Sequence, residues 1–140
     1  GYGGTVQEVK NESILVTDKD IKIRFNSDVT RGLELYFQPV ERDIITKIGQ
    51  TNTIQYKVVN KSSETIYAIS TYNVTPQKAG IYFNKLDCFC YEEKTILPGK
   101  EKLLPVSFFI SPEILDDPST KELKSLTLSY TFFKNNSNIN

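Results

Sequence analysis

Cys88 and Cys90, separated by a single phenylalanine, are the residues of this sequence with the plainest capacity for chemistry. In an extended strand, side chains two positions apart point to the same face, with about 7 Å between their Cα atoms. A disulfide usually spans only about 4.4–6.8 Å. A bend at Phe89 would bring the sulfurs together, either as a strained bridge or as a two-thiolate clamp. Thiolates are soft ligands and select Cu(I) among available metals. Cu(I) accepts low coordination numbers, so two sulfurs suffice, whereas a structural zinc site wants about four ligands. The flanks predict an exposed, reactive pair: Phe89 and Tyr91 are large, while Lys85, Asp87, Glu92, Glu93 and Lys94 are charged. Lys85 or Lys94, if near in space, would lower a thiol pKa. Two chains would together bring enough thiolates for a Cu(I) pair bridged across a homodimer. Two other readings stand beside this one. The cysteines are small hydrophobes in a core, since the spacing alone is weakly specific. Or they form a redox dithiol, although the thioredoxin-like C-x-x-C spacing is absent.

The residues the chain lacks narrow the chemistry further. It has no His, no Met and no Trp. Ser-His and Cys-His nucleophiles are therefore excluded, as are the usual catalytic zinc sites and blue-copper sites. The formal net charge is +0, which argues against a nucleic-acid partner, because phosphate binding needs an excess of Lys and Arg. No apolar run is long enough to span a membrane. The start, Gly1-Tyr2-Gly3-Gly4-Thr5, is not a signal peptide. The sequence leaves open a soluble protein or a segment that follows an anchor.

The elements that must position the cysteines read as strands. Ile21, Ile23 and Phe25 alternate with Lys22, Arg24 and Asn26, and Leu33, Leu35 and Phe37 repeat the pattern up to Pro39. Further strands are expected at 43–47, 53–60, 65–72, 102–110 and 123–133, the last with Leu126, Leu128, Tyr130 and Phe132 on one face. Gly49 to Asn52, Lys61 to Ser63 and Leu97-Pro98-Gly99-Lys100 are turns. A helical turn is expected at Glu113-Ile114-Leu115. No segment carries a convincing helical stripe. The pattern predicts an all-β, immunoglobulin-like sandwich of two antiparallel sheets. Its expected divisions are a flexible segment over 1–20, the domain over 21–134 and a disordered tail over 135–140.

The run Tyr72-Asn73-Val74-Thr75-Pro76, then Ala79 through Glu93 with its Cys-Phe-Cys core, resembles the CtaG-type cytochrome c oxidase assembly proteins, a copper-delivery family. The likeness continues through Leu97-Pro98-Gly99-Lys100-Glu101, Pro105-Val106 and Leu126 to Phe133, and the opening Gly1 to Thr5 resembles the segment after that family's membrane anchor. The resemblance implies an immunoglobulin-like domain tethered by one N-terminal helix in the inner membrane. The domain would face the periplasm, or the intermembrane space of a mitochondrion. It implies a metallochaperone, not an enzyme, that receives Cu(I) from a donor chaperone and inserts it into the Cu(B) centre of oxidase subunit I. Cys88 and Cys90 match the family's metal-binding pair, and copper-loaded members are dimers. A further Cys that many members carry near the anchor is absent from this chain. The alternatives are a thiol-disulfide reductant of a partner's cysteines and an interaction domain with inert Cys.

Other residues weigh less. Glu113 with Asp116-Asp117 is an acidic loop without EF-hand spacing. Asn11, Asn60, Asn73 and Asn135 begin N-glycosylation patterns that an Asn-rich chain produces by chance. Tyr130 and Phe132 are expected in the core. Tyr72, Asn73 and Pro76 are expected either to line a loop near the thiols or to serve turn chemistry alone.

Overall fold

In the strand Asp20–Val29 (β1), Ile21, Ile23 and Phe25 are buried while Asp20, Arg24 and Asn26 face solvent, as a period of two requires. The same alternation sets the other long strands of the computed structural model, which describes residues 15–135. They are β2 (Leu35–Pro39), β3 (Asp43–Lys47), β4 (Asn52–Asn60), β5 (Ile66–Thr75), β6 (Phe83–Asp87), β7 (Lys94–Ile96), β8 (Glu101–Ile110) and β9 (Ser125–Lys134). Two short 3-10 helices, Gln77–Tyr82 and Pro112–Leu115, complete the elements. The domain is the expected all-β sandwich.

The odd-numbered strands form one sheet, in the order β3-β1-β9-β5-β7, and the even-numbered strands form the other, in the order β2-β4-β8-β6. Every connection between consecutive strands therefore crosses from one sheet to the other. β1 and β9 pair in parallel, from Lys22 opposite Ser125 to Val29 opposite Phe132. Among the described residues this is the one pairing that departs from the antiparallel pattern expected of the two sheets. A parallel pair needs a long crossover between its strands, and here almost the whole domain supplies it. Pro39 is the last residue of β2, an edge strand, where its missing N–H costs no ladder bond.

Aromatic rings join the layers. Phe25 on β1 meets Phe108 on β8 at 6.3 Å, Phe132 on β9 meets Phe37 on β2 at 4.6 Å, and Tyr130 meets Tyr56 on β4 at 5.1 Å. The Pro98-Gly99 turn forms as expected: Lys100 N–H donates to Leu97 O at 3.1 Å, and Gly99 takes φ 70°, where a Cβ is disfavoured. β5 runs three residues past its expected end at Tyr72. Ile81 and Tyr82 lie in a 3-10 helix.

Residues 1–14 of the segment expected to be flexible lie outside the described residues. Of the rest, Thr17 donates its N–H and its hydroxyl to Ile48 O, at 2.9 and 3.0 Å, and Lys19 O accepts from Ile48 N–H at 2.9 Å. Of the expected tail only Asn135 is described; its N–H donates to Tyr67 O at 2.9 Å. No helix among the described residues is long and apolar enough to cross a membrane.

Candidate functional site

β6 pairs with β8 at the edge of the four-stranded sheet, and its register shifts between Lys85 and Asp87. The ladder ends there. β7, at the edge of the other sheet, begins at Lys94. Residues 88–93 thus cross the open side of the sandwich. What holds them is Phe89, only 4% exposed, which enters the opening as a plug. Its ring lies 4.8 Å from Tyr130, 5.8 Å from Tyr56, 6.0 Å from Phe132 and 6.2 Å from Phe37 on the far edge strand. Burying one such side chain contributes about 1.5–3 kcal/mol, and the aromatic pairs add to it.

The plug bends the chain and brings the two cysteines together. Their Cα atoms are 5.3 Å apart, and the sulfurs are joined in a disulfide. The expected bend at Phe89 is present. The expected exposure is not: Cys90 is 6% exposed and Cys88 is half-buried. The inward pull of Phe89 draws its neighbours down with it, so the pair is reached from the Cys88 side. Tyr91 follows with φ 66°, the left-handed region that a bulky residue rarely adopts. Its N–H donates to Ser70 O on β5 at 2.8 Å, and its ring meets Tyr72 at 6.0 Å. Lys85 Nζ lies over both rings, 5.7 Å from Tyr72 and 5.8 Å from Tyr91. Lys94, the other cation expected near the thiols, pairs with Glu92 at 3.5 Å.

Cys88 Sγ has two donors. Cys90 N–H lies 3.1 Å away and the Tyr130 hydroxyl 3.0 Å away. A disulfide sulfur carries no hydrogen, so the phenol donates. Tyr130 belongs to the inward row of β9, as expected of a core residue, and is fully buried. Burial pushes its pKa far up, and the neighbouring Tyr56, Tyr72 and Tyr91 add to the rise. Burial does the same to Tyr56. The Ser70 hydroxyl on β5 is also fully buried and has no hydrogen-bond partner among the described residues.

Among the described residues no group of three or more His, Cys, Asp or Glu gathers to hold a metal. An ion held here by this chain alone rests on the two sulfurs, which act as ligands only once reduced to thiolates. Such a donor pair suits a soft monovalent ion of low coordination number and does not suit a hard cation. The acidic loop is used structurally. The Asp117 carboxylate accepts from Ser119 N–H and Ser119 Oγ at 2.9 Å each, and from the Tyr82 hydroxyl at 2.8 Å. Asn60 is buried, with its amide donating to Glu64 O and Ile96 O at 2.7 Å each. Of the three residues expected either to line a loop near the thiols or to serve turn chemistry, Tyr72 and Asn73 lie in β5, where Tyr72 joins the ring cluster, and Pro76 caps the first 3-10 helix. Asn73 pairs across to Ser129, and Pro76 O accepts from Ala79 N–H at 2.9 Å.

The model of the family described as Cytochrome c oxidase assembly protein CtaG/Cox11 matches residues 1–134, the whole sandwich and its cysteine crossover included. The chain belongs to this family. Relatives named Cytochrome c oxidase assembly protein CtaG, from Brucella ovis and from Sinorhizobium medicae, are 45% and 48% identical over 133 residues. Each match covers 95% of this chain, with 66% of the Brucella protein and 67% of the Sinorhizobium protein. The chain thus spans just under two thirds of the length of the Brucella relative. The CtaG/Cox11 resemblance seen in the Cys-Phe-Cys run and its flanks holds for the chain as a whole. The residue that sequence reasoning left in the core of this CtaG/Cox11 domain without a role is Tyr130. Its one signal was a hydroxyl in an otherwise apolar row.

Proposed function

We propose that this CtaG/Cox11 domain is a Cu(I) carrier in cytochrome c oxidase assembly, holding the ion as cargo on Cys88 and Cys90. The observation that carries the reading is the Phe89-anchored bend. It holds two soft donors with Cα atoms 5.3 Å apart on a rigid sandwich edge, and the names of the relatives supply the assembly context. The work is ligand exchange rather than catalysis. Two thiolates leave the ion under-coordinated, so an incoming ligand adds before a thiolate leaves, and no free ion forms. The half-buried Cys88 side is the route by which that ligand arrives. In this reading a donor chaperone supplies the copper and the acceptor is the Cu(B) centre of oxidase subunit I, at the periplasmic or intermembrane-space face of the inner membrane. A homodimer bridged by copper through paired thiolates is part of the same proposal.

The test is an anaerobic Cu(I) titration of the reduced protein and of the Cys88→Ala, Cys90→Ala double variant, with the oligomeric state measured on the same samples. Stoichiometric binding by the wild type and none by the variant is expected. Equal binding by both overturns the reading. A second reading, thiol-disulfide exchange with a partner's cysteines, is favoured by the sulfurs being bonded. It is chosen instead if the reduced protein binds no copper and a single-Cys variant traps a mixed disulfide.

A further inference from the structure

The two sulfurs stand in different surroundings. Cys88 Sγ accepts the Tyr130 O–H at 3.0 Å and the Cys90 N–H at 3.1 Å and lies on the half-open side. Cys90 is the more buried of the two, and among the described residues no hydrogen bond reaches its sulfur. Tyr130 itself cannot easily turn away. Its ring is stacked on Phe89 at 4.8 Å and on Tyr72 at 5.5 Å, and tilted against Tyr56 at 5.1 Å.

We propose that Tyr130 is a positioning residue that makes Cys88 the labile sulfur of the pair, the one that releases copper first, while Cys90 retains it until the acceptor's ligand is in place. This rests on the copper-carrier reading. A hydrogen bond to a thiolate is charge-assisted and stronger than one to a neutral sulfur. It withdraws electron density that the sulfur would otherwise donate to the metal, and it stabilises the sulfur once the metal has gone. In the metal-bound state, as in the disulfide, the sulfur has no proton, so the phenol is the donor in both. The exposed side carries the doubly hydrogen-bonded sulfur, so the incoming ligand meets the weaker of the two bonds. A fold that offered both sulfurs equally would give the exchange no order.

The variant to make is Tyr130→Phe, which keeps the ring and removes the hydroxyl, with Tyr56→Phe as the control. Tyr56 is equally buried, and its hydroxyl donates to Asn26 O at 3.3 Å and, among the described residues, makes no hydrogen bond to either sulfur. Two readouts are taken on the 140-residue chain. In the first, the Cu(I)-loaded protein is mixed with a chromophoric Cu(I) chelator and the rate of loss is followed. Tyr130→Phe should release copper several-fold more slowly than wild type, and Tyr56→Phe at the wild-type rate. The second needs no copper. In glutathione buffers two glutathione thiols reduce the Cys88–Cys90 bond, giving two protein thiols and one glutathione disulfide. Losing the phenol should shift this equilibrium toward the protein disulfide by up to about tenfold, which is about 30 mV for a two-electron couple. A purely structural role of Tyr130 would move the melting temperature and leave the glutathione equilibrium where it is. An unchanged glutathione equilibrium and release rate in Tyr130→Phe overturn the inference while the copper reading stands. If the wild type binds no copper, that reading fails and the proposed order of release fails with it, which the first readout shows before any variant is compared.

Discussion

Two connections leave the four-stranded sheet late in the chain and cross to the five-stranded one: residues 88–93, from β6 to β7, and residues 111–124, from β8 to β9. Each is held by one apolar plug, Phe89 in the first and Ile114 in the second. Their polar groups differ. In the second connection Ser111 Oγ accepts Glu113 N–H at 3.3 Å, Asp117 takes three donors, and the buried Thr120 hydroxyl donates to Ile114 O at 2.7 Å. The first holds a left-handed tyrosine and a pair of sulfurs, and the tyrosine N–H donates to the carbonyl of Ser70, whose buried hydroxyl has no partner among the described residues. A connection whose polar side chains answer one another is built for stability. One that keeps reactive atoms and an unanswered hydroxyl in the same fold departs from local consistency, and functional sites are where such departures gather.

The comparison can be broken at its plugs. Phe89→Ala should cost about 3–5 kcal/mol and Ile114→Ala about 2–5 kcal/mol, read as the loss in unfolding free energy by urea titration. A cost for Phe89→Ala well below that for Ile114→Ala would mean that the cysteine turn is held by something other than its phenylalanine. The polar half of the comparison gives smaller effects of opposite sign. Thr120→Val leaves the buried Ile114 carbonyl without its donor and should cost about 1–3 kcal/mol. Ser70→Ala removes a hydroxyl that has no partner among the described residues and should be neutral or stabilise by up to about 1 kcal/mol. A loss of stability in Ser70→Ala would show that this hydroxyl is answered after all.

The smallest effect is a dependence on pH. Ser119 N–H first, then the Tyr82 and Ser119 hydroxyls, hold the Asp117 carboxyl below its ordinary value. The folded state therefore binds this proton less readily than the unfolded chain. Its stabilisation is present above the ordinary aspartate value of about 3.9 and is lost as the pH falls through the lower folded value. Thermal melts at a series of acidic pH values should show wild type falling toward Asp117→Asn across that window. A difference between the two that is the same at every pH would remove the carboxylate's charge from the account.

Local pattern was enough to find the inward rows Ile21, Ile23, Phe25 and Leu126, Leu128, Tyr130, Phe132, the Pro98-Gly99 turn, and the bend at Phe89 that brings Cys88 and Cys90 together. Each is a matter of residue type and spacing over a few positions, which is what a strand period or a turn encodes. Other features were not legible there. β7 is three residues long, too short to show a period. The parallel pairing of β1 with β9 joins strands at opposite ends of the domain. The meeting of Tyr130 with Cys88 links positions 42 residues apart in the chain. Burial of Cys90 and the order of the strands belong with these. They depend on which faces come together once the sheets pack, and an alternating pattern says that a face is buried without saying what lies opposite it.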